Sequence, residues 1–316
     1  MNNKQSSKNL FLASPRGFCA GVERAISIVE KSIEIYGKPI YVKHEIVHNK
    51  HVVERLSNLG AIFIENIDEV PVGSKIVFSA HGVAEKVKKD SILKDLNILD
   101  ATCPLVTKVH LEAKKLYRNG YHILLIGHDG HPEIEGTKGQ VPFKSISLVE
   151  NIDQAKKVYP PSTKLAWLSQ TTLSVDDTKD IVNILKSRFP EIMSPGKDDI
   201  CYATSNRQLA VKEIAPNVEL MLIVGSENSS NSKRLVEVSE KAGCKNSFLI
   251  SDASQINWKK VNTFKNIGLS SGASAPENLI DEIRLEFSKR FDTNEIQKEI
   301  IKENVYFKLP KVLDQI

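Results

Sequence analysis

Three cysteines stand at matching places in three stretches of the chain. Cys19 in SPRGFCAGVERAI, Cys103 in DATCPLVTKVH and Cys201 in DDICYATSNRQ each sit at a strand-to-helix turn and open a run with apolar residues at helical spacing. A thiol there meets free backbone N–H groups and the positive end of the helix dipole, which favour the thiolate. Such a trio has three chemical uses. A structural zinc would call for a fourth protein ligand. A redox set would need two thiols within disulfide reach. A cubane 4Fe–4S cluster held by three cysteines, instead of the usual four, would leave one iron open to a substrate oxygen, as Lewis acid and electron source. The fourth cysteine, Cys244, has no counterpart at an equivalent place and reads as packing. No CxxC pair is present.

Polar residues recur with the cysteines. His44, His128 and Ser226 each lie 25 residues beyond their cysteine, His48 lies 29 beyond, and His131 and Ser229 lie 28 beyond. The loops HEIVHN, SAHGV, GHDGHPEIEG, SQTTLS, GSENSSNS and SSGASAP offer His44, His48, His81, His128, His131, Thr171, Thr172, Ser229, Ser230, Asn231 and Ser274. Singly, each is ordinary turn or N-cap chemistry. Six such loops at matched places make a set of neutral or switchable donors suited to phosphate oxygens at helix N-termini. Glu133, two residues after His131, is the carboxylate that follows a histidine-rich turn most closely. In a dry cavity its pKa would rise, and it could then donate a proton near neutrality. The stretch GHDGHPEIEGTKG is not a P-loop: five residues separate Gly130 from Gly136, and Thr137–Lys138 follow. No strand-like run is followed by GxGxxG, so no tightly bound nicotinamide is expected.

The elements that must position these residues repeat as well. After each helical run comes a strand-like run (KPIYVK, YHILLIG, VELMLIVG), then a second (IFIENIDEV, ISLVENIDQA, FLISDASQI) and a third ending in a polar turn (KIVFSAHG, KLAWLSQTT, KNIGLSSGAS). A further helical stretch closes each unit: VAEKVKKDSIL, LSVDDTKDIVNILKSRF and PENLIDEIRLEFSKRF. The expected fold class is therefore α/β, with three similar domains built on small, mostly parallel sheets. Arranged as a pseudo-threefold trefoil, they would turn the strand C-termini toward one central cavity, where such sheets gather ligand groups. The division expected is an N-terminal strand segment at 1–18, repeats at 19–102, 103–200 and 201–290, and a tail at 291–316.

Bulk composition removes several classes. The 316 residues carry 43 basic and 39 acidic side chains with both signs scattered, unlike the clustered Lys and Arg of a nucleic-acid binder. No apolar run approaches the roughly 20 residues of a membrane span. The polar start MNNKQSSKN has no apolar signal region, so a cytoplasmic location is expected.

The strings SPRGFCAGV, HEIVHN, FSAHGV, DATCPLVTKVH, GHDGHPEIEGT, QTTLSVDDT, DDICYATSNRQ and GSENSSNSKRL together resemble the signature of the 4-hydroxy-3-methylbut-2-enyl diphosphate reductase family, from about Leu10 to Phe291. The resemblance implies a trefoil of three α/β domains and a 4Fe–4S cluster on Cys19, Cys103 and Cys201, with one open iron that takes the allylic alcohol. It implies a two-electron reductive dehydration giving isopentenyl and dimethylallyl diphosphates, the last step of the non-mevalonate isoprenoid pathway. His48, His81, His131, Ser229, Ser230, Asn231 and Ser274 match the positions that grip the diphosphate. Glu133 matches the proton-delivering carboxylate, and Thr172 its hydrogen-bonding helper near the hydroxyl. The implied electron donor is a ferredoxin or flavodoxin, and the chain would work as a monomer or homodimer. Three other classes compete with this reading: a cluster-containing, non-catalytic sensor, a redox-neutral dehydratase using the open iron, and a phosphate-binding α/β protein without metal. Two departures stand out. Ser271 stands where many members of the family carry Ala or another small residue, and the change is expected to matter little. The tail beyond Phe291 joins a charged stretch to an apolar VYFKLP, and either docks as an edge strand or lies loose.

Overall fold

The computed structural model describes residues 5–313. In chain order, β1 (Gln5–Ser14) leads to Cys19, and α1 (Ala20–Tyr36), β2 (Ile40–Lys43), α2 (Lys50–Leu59), β3 (Ala61–Ile64), β4 (Lys75–Phe78), α3 (Glu85–Leu93) and β5 (Asn97–Asp100) lead to Cys103. Then α4 (Pro104–Arg118), β6 (His122–Ile126), α5 (Pro132–Lys138), β7 (Ile146–Val149), α6 (Ile152–Lys157), β8 (Leu165–Ser169) and α7 (Val175–Arg188) precede Cys201. The remainder is α8 (Tyr202–Ile214), β9 (Leu220–Val224), α9 (Ser230–Lys241), β10 (Ser247–Ile250), α10 (Trp258–Asn262), β11 (Asn266–Ser271), α11 (Glu277–Arg290) and β12 (Phe291–Glu299).

These elements pack as two compact units, one of His48–Lys50, Tyr202–Val305 and the described part of Met1–Cys19, the other of Ala20–Val47, His51–Cys201 and the chain from Tyr306. The first holds a five-stranded sheet ordered β10-β9-β11-β1-β12. The second holds two sheets, ordered β3-β2-β4-β5 and β7-β6-β8. Every strand pair in the three sheets is parallel, beyond the mostly parallel arrangement expected.

One strand plan is used three times. Each repeat's first strand lies between its second and third, as in β3-β2-β4, β7-β6-β8 and β10-β9-β11. The segment leading into the next cysteine then pairs beside the third strand. β5, which leads to Cys103, lies beside β4, and β1, which leads to Cys19, lies beside β11. Ahead of Cys201 that position shrinks to one bridge, Ala166 to Met193. The strand before a cysteine thus belongs to the preceding sheet, and the helix after it opens the next repeat.

Burial explains the sequence pattern. β6 (HILLI), β8 (LAWLS) and β9 (LMLIV) are buried at every position, as parallel strands covered on both faces must be, and so read as unbroken apolar runs. In the first unit Leu10, Leu222, Leu269, Ile283, Phe287 and Phe291 share one apolar cluster. The tail resolves in favour of the edge strand, but through its charged part. β12 pairs with β1 from Gln5–Phe291 to Ser14–Glu299, while 300–310 have no regular structure. Phe291 is buried and anchors the strand, and the exposed charged residues that follow discourage further pairing at this edge.

Candidate active site

The three cysteines share one backbone setting. The N–H of Cys19 donates to Ala273 O (3.2 Å), that of Cys103 to Ala80 O (3.0 Å) and that of Cys201 to Thr171 O (3.1 Å). Each acceptor lies in the polar turn after β11, β4 or β8, so every cysteine loop is tied to the turn that carries candidate binding residues. Each cysteine is half-buried and directly precedes a helix. Cys103 is the N-cap of α4, with Pro104 at the first helical position. Cys244 differs in kind: it is 2% exposed among Val218, Leu235 and Val238, and burial pushes its thiol pKa up.

In the five-stranded unit, the turn after β9 leads into α9. Ser229 caps that helix, accepting from Ser232 N (3.3 Å) and from Ser232 Oγ (3.0 Å). Gly225 and Gly272 make room for it: a Cβ on either would fall 2.2 or 2.1 Å from Ser232 Oγ. Ser230 Oγ and both amide atoms of Asn231 are buried and find no hydrogen-bond partner among the described residues. Buried polar atoms of this kind call for a water or a ligand, and at the start of a helix the favoured ligand is an anion. In the same unit Ser274 Oγ donates to His48 O (3.0 Å), bringing those two candidates together.

The two-sheet unit holds the remaining candidates. The His81 and His131 rings meet edge-on with centroids 5.9 Å apart, and His44 meets His81 likewise at 5.9 Å. His131 is the N-cap of α5, and its Nδ1 accepts from Glu133 N (3.1 Å). That bond makes Nδ1 the acceptor, so the neutral ring carries its hydrogen on Nε2.

Glu133 is 2% exposed. Its Oε1 accepts from Thr171 N (2.7 Å) and its Oε2 from Thr171 Oγ1 (2.9 Å). Burial raises its pKa to about 7, against the pull of the Thr171 bonds and helped by the nearby Asp199 charge. A carboxyl poised near neutrality can hold or release a proton at working pH. Thr171, not Thr172, is the threonine bonded to it; Thr172 Oγ1 accepts from Gln170 Nε2 (2.8 Å). Asp199 is itself buried and raised to about 6, although it accepts from Lys108 Nζ and Ser169 N at 2.9 Å each. Lys108 and Asp199 were not among the sequence-level candidates. Their signal was position, Lys108 five residues after Cys103 and Asp199 two before Cys201.

Ser271 matters more than expected. It is fully buried, and its Oγ accepts from Gly17 N (2.8 Å), two residues before Cys19. An alanine there would remove the acceptor.

The family model described as LytB protein matches residues 10–288. The chain belongs to the LytB family. LytB relatives of high similarity are the proteins named 4-hydroxy-3-methylbut-2-enyl diphosphate reductase from Cereibacter sphaeroides, 50% identical over 306 residues and 96% of each chain, and from Paracoccus denitrificans, 48% identical over 312 residues, 98% of this chain and 99% of that one. Among solved structures, the E-1-hydroxy-2-methyl-but-2-enyl-4-diphosphate reductase of Plasmodium falciparum superposes with a TM-score of 0.94 at 39% identity, covering 97% of both chains. A second, (E)-4-hydroxy-3-methyl-but-2-enyl diphosphate reductase, gives 0.63 at 30% identity over 89% of this chain and 99% of that one. As a LytB protein the chain is an enzyme, an oxidoreductase. No helix among the described residues is long and apolar enough to cross a membrane.

Proposed function

We propose that this chain reduces (E)-4-hydroxy-3-methylbut-2-enyl diphosphate to isopentenyl and dimethylallyl diphosphates, the last step of the non-mevalonate isoprenoid pathway. The change takes up two electrons and two protons. The allylic C–O bond breaks, the hydroxyl leaves as water with one proton, and the other proton ends on carbon. The names of relatives about half identical to the chain support this reading. The three repeats at 19–102, 103–200 and 201–290, with a strand segment before and a tail after, are the frame in which it is made.

Three thiols in one backbone setting at three helix starts fit an iron–sulfur cluster, and the buried Cys244 does not. Cys19, Cys103 and Cys201 would hold a 4Fe–4S cluster, which would supply single electrons and Lewis acidity. A ferredoxin or flavodoxin delivers the electrons, and a cytoplasmic setting keeps the thiols reduced. Ser229, Ser230, Asn231, Ser274, His48, His81 and His131 hold the diphosphate: Ser229, Ser230 and Asn231 at the positive end of α9, Ser274 from the turn after β11, and the imidazoles through N–H groups. His131 offers Nε2–H, since Nδ1 is taken by Glu133 N. Thr172 orients the hydroxyl that leaves.

The observation that carries the proposal is Glu133, a buried carboxyl with a pKa of about 7. It holds the proton that the departing hydroxyl needs, and burial keeps that proton from water until then. The test is an anaerobic assay of substrate loss with a chemical one-electron donor, on protein whose iron and sulfide have been counted. About four irons per chain with donor-dependent loss of the hydroxyl is the expected result. Loss without a donor would make the chain a redox-neutral dehydratase, and a full cluster without turnover would make it a sensor.

A further inference from the structure

The backbone just ahead of Cys19 is held with unusual completeness. Gly17 adopts φ +72°, donates its N–H to Ser271 Oγ and gives its carbonyl to Arg207. Arg207 lies on α8, six residues after Cys201, and its side chain is wholly buried. Its Nη2 reaches Gly17 O (2.8 Å) and Phe18 O (3.4 Å), and its Nε reaches Gly17 O (3.2 Å). Its Nη1 reaches Ala203 O (2.9 Å). A guanidinium buried so deeply needs a counter-charge. That charge is Glu303, beyond β12, whose Oε1 and Oε2 lie 3.0 and 3.3 Å from Nη1. The same carboxylate accepts from Asn206 Nδ2 (3.0 Å).

The two-sheet unit repeats the device with different residues. Arg24 on α1 donates through Nη1 to Thr102 O (3.1 Å), the carbonyl next to Cys103, and through Nε to Lys308 O (2.9 Å). Thr102 N is meanwhile held by Asp100 Oδ1 (2.9 Å). Neither arginine belongs to the polar loops. Glu303 and Lys308 lie past residue 288, where the family match ends.

We propose that Arg207 and Arg24 are positioning residues, each braced by the segment after β12, that fix the carbonyls ahead of Cys19 and Cys103 and so set the direction of the two thiols. The proposal rests on the reading of those cysteines as cluster ligands. The bonded Phe18 and Thr102 carbonyls hold the Phe18–Cys19 and Thr102–Cys103 peptide units, with Gly17 O held one residue earlier, and so set the direction in which each cysteine's Cα–Cβ bond leaves the backbone. A thiol aimed in advance loses less conformational freedom when a ligand engages it. The segment 300–308, devoid of regular structure, thereby acquires a task through one carboxylate and one carbonyl.

The test is the alkylation rate of each cysteine in the cluster-free full chain, followed under argon with iodoacetamide and peptide mass spectrometry. Glu303→Gln keeps the size of the side chain but turns an NH2 group toward the Arg207 donors. It should raise the Cys19 rate about tenfold or more, the effect of losing one charged hydrogen bond, with Cys103 and Cys201 unchanged. Glu303→Asp should restore most of the parent rate. Arg24→Met should raise the Cys103 rate alone. A rise at all three cysteines together would mean general loosening and would overturn the proposal, as would no change at any. Since the assay contains no cluster, its outcome is separate from the reductase reading. An iron count on the reconstituted parent chain, near zero if that reading fails, tells the two failures apart.

Discussion

Glu133 and Thr171 form the best-defined chemical pair in the molecule. Two bonds from one threonine favour the charged carboxylate, yet burial outweighs them and leaves the group near pH 7. Removing the hydroxyl with Thr171→Val should lift that pKa further, so the alkaline limb of the kcat profile should move to higher pH. An unmoved limb would mean that another group controls it. Glu133→Gln should keep iron and substrate binding while turnover falls about a hundredfold or more, the usual scale of a lost general acid. A pH consequence for stability follows with a definite sign. The folded pKa of Glu133 is raised above its reference value of 4.5, so its stabilising contribution is complete below about 4.5 and is lost as pH rises through about 7. The melting temperature of the parent should therefore fall relative to Glu133→Gln between pH 5 and 8.

At the scale of elements, the first turn of α9 concentrates groups that the protein itself does not satisfy. Ser230 Oγ and the Asn231 amide are buried without a partner among the described residues, and the N–H groups of the first turn add a positive end. Asn231→Ala should therefore weaken inorganic diphosphate about tenfold, the equivalent of roughly 1.4 kcal/mol, with little change in thermal stability. Calorimetric titration would measure it, and unaltered affinity would remove α9 from the binding site. Further along the same helix, Leu235 and Val238 share an apolar cluster with Cys244. Cys244→Ala should retain full iron content while costing on the order of 1 kcal/mol in a denaturant titration, as expected for a small buried deletion. A substantial loss of iron would show that the ligand set has been misassigned.

At the scale of the whole molecule, three parallel sheets repeat one strand order, and the five-stranded sheet is completed from both ends of the chain. β1 lies between β11 and β12, so residues near the N-terminus and residues near the C-terminus share one ladder. Phe291 secures this closure: it is 1% exposed, packs against Phe287 and Trp258, and has the Lys8 ammonium 5.2 Å from its ring centroid. Phe291→Ala should cost about 3 kcal/mol or more, the range for emptying a phenylalanine site, read from the shift of the urea midpoint. A cost below about 1 kcal/mol would mean that β12 is only loosely attached. The sequence by itself determined the repeat, the parallel α/β class and the family, because buried parallel strands show as apolar runs and polar turns recur at fixed distances from Cys19, Cys103 and Cys201. Partnerships between residues far apart in sequence were decided only by tertiary structure. Thr171 bonds Glu133 across 38 residues, Ser271 bonds Gly17 across 254, and Glu303 reaches Arg207 across 96. Local pattern carries burial and periodicity, but which of two adjacent threonines faces a carboxylate depends on how a turn is seated among its neighbours. The same holds for the tail, where charge predicts exposure and only the free edge of β1 explains why that charged stretch became a strand.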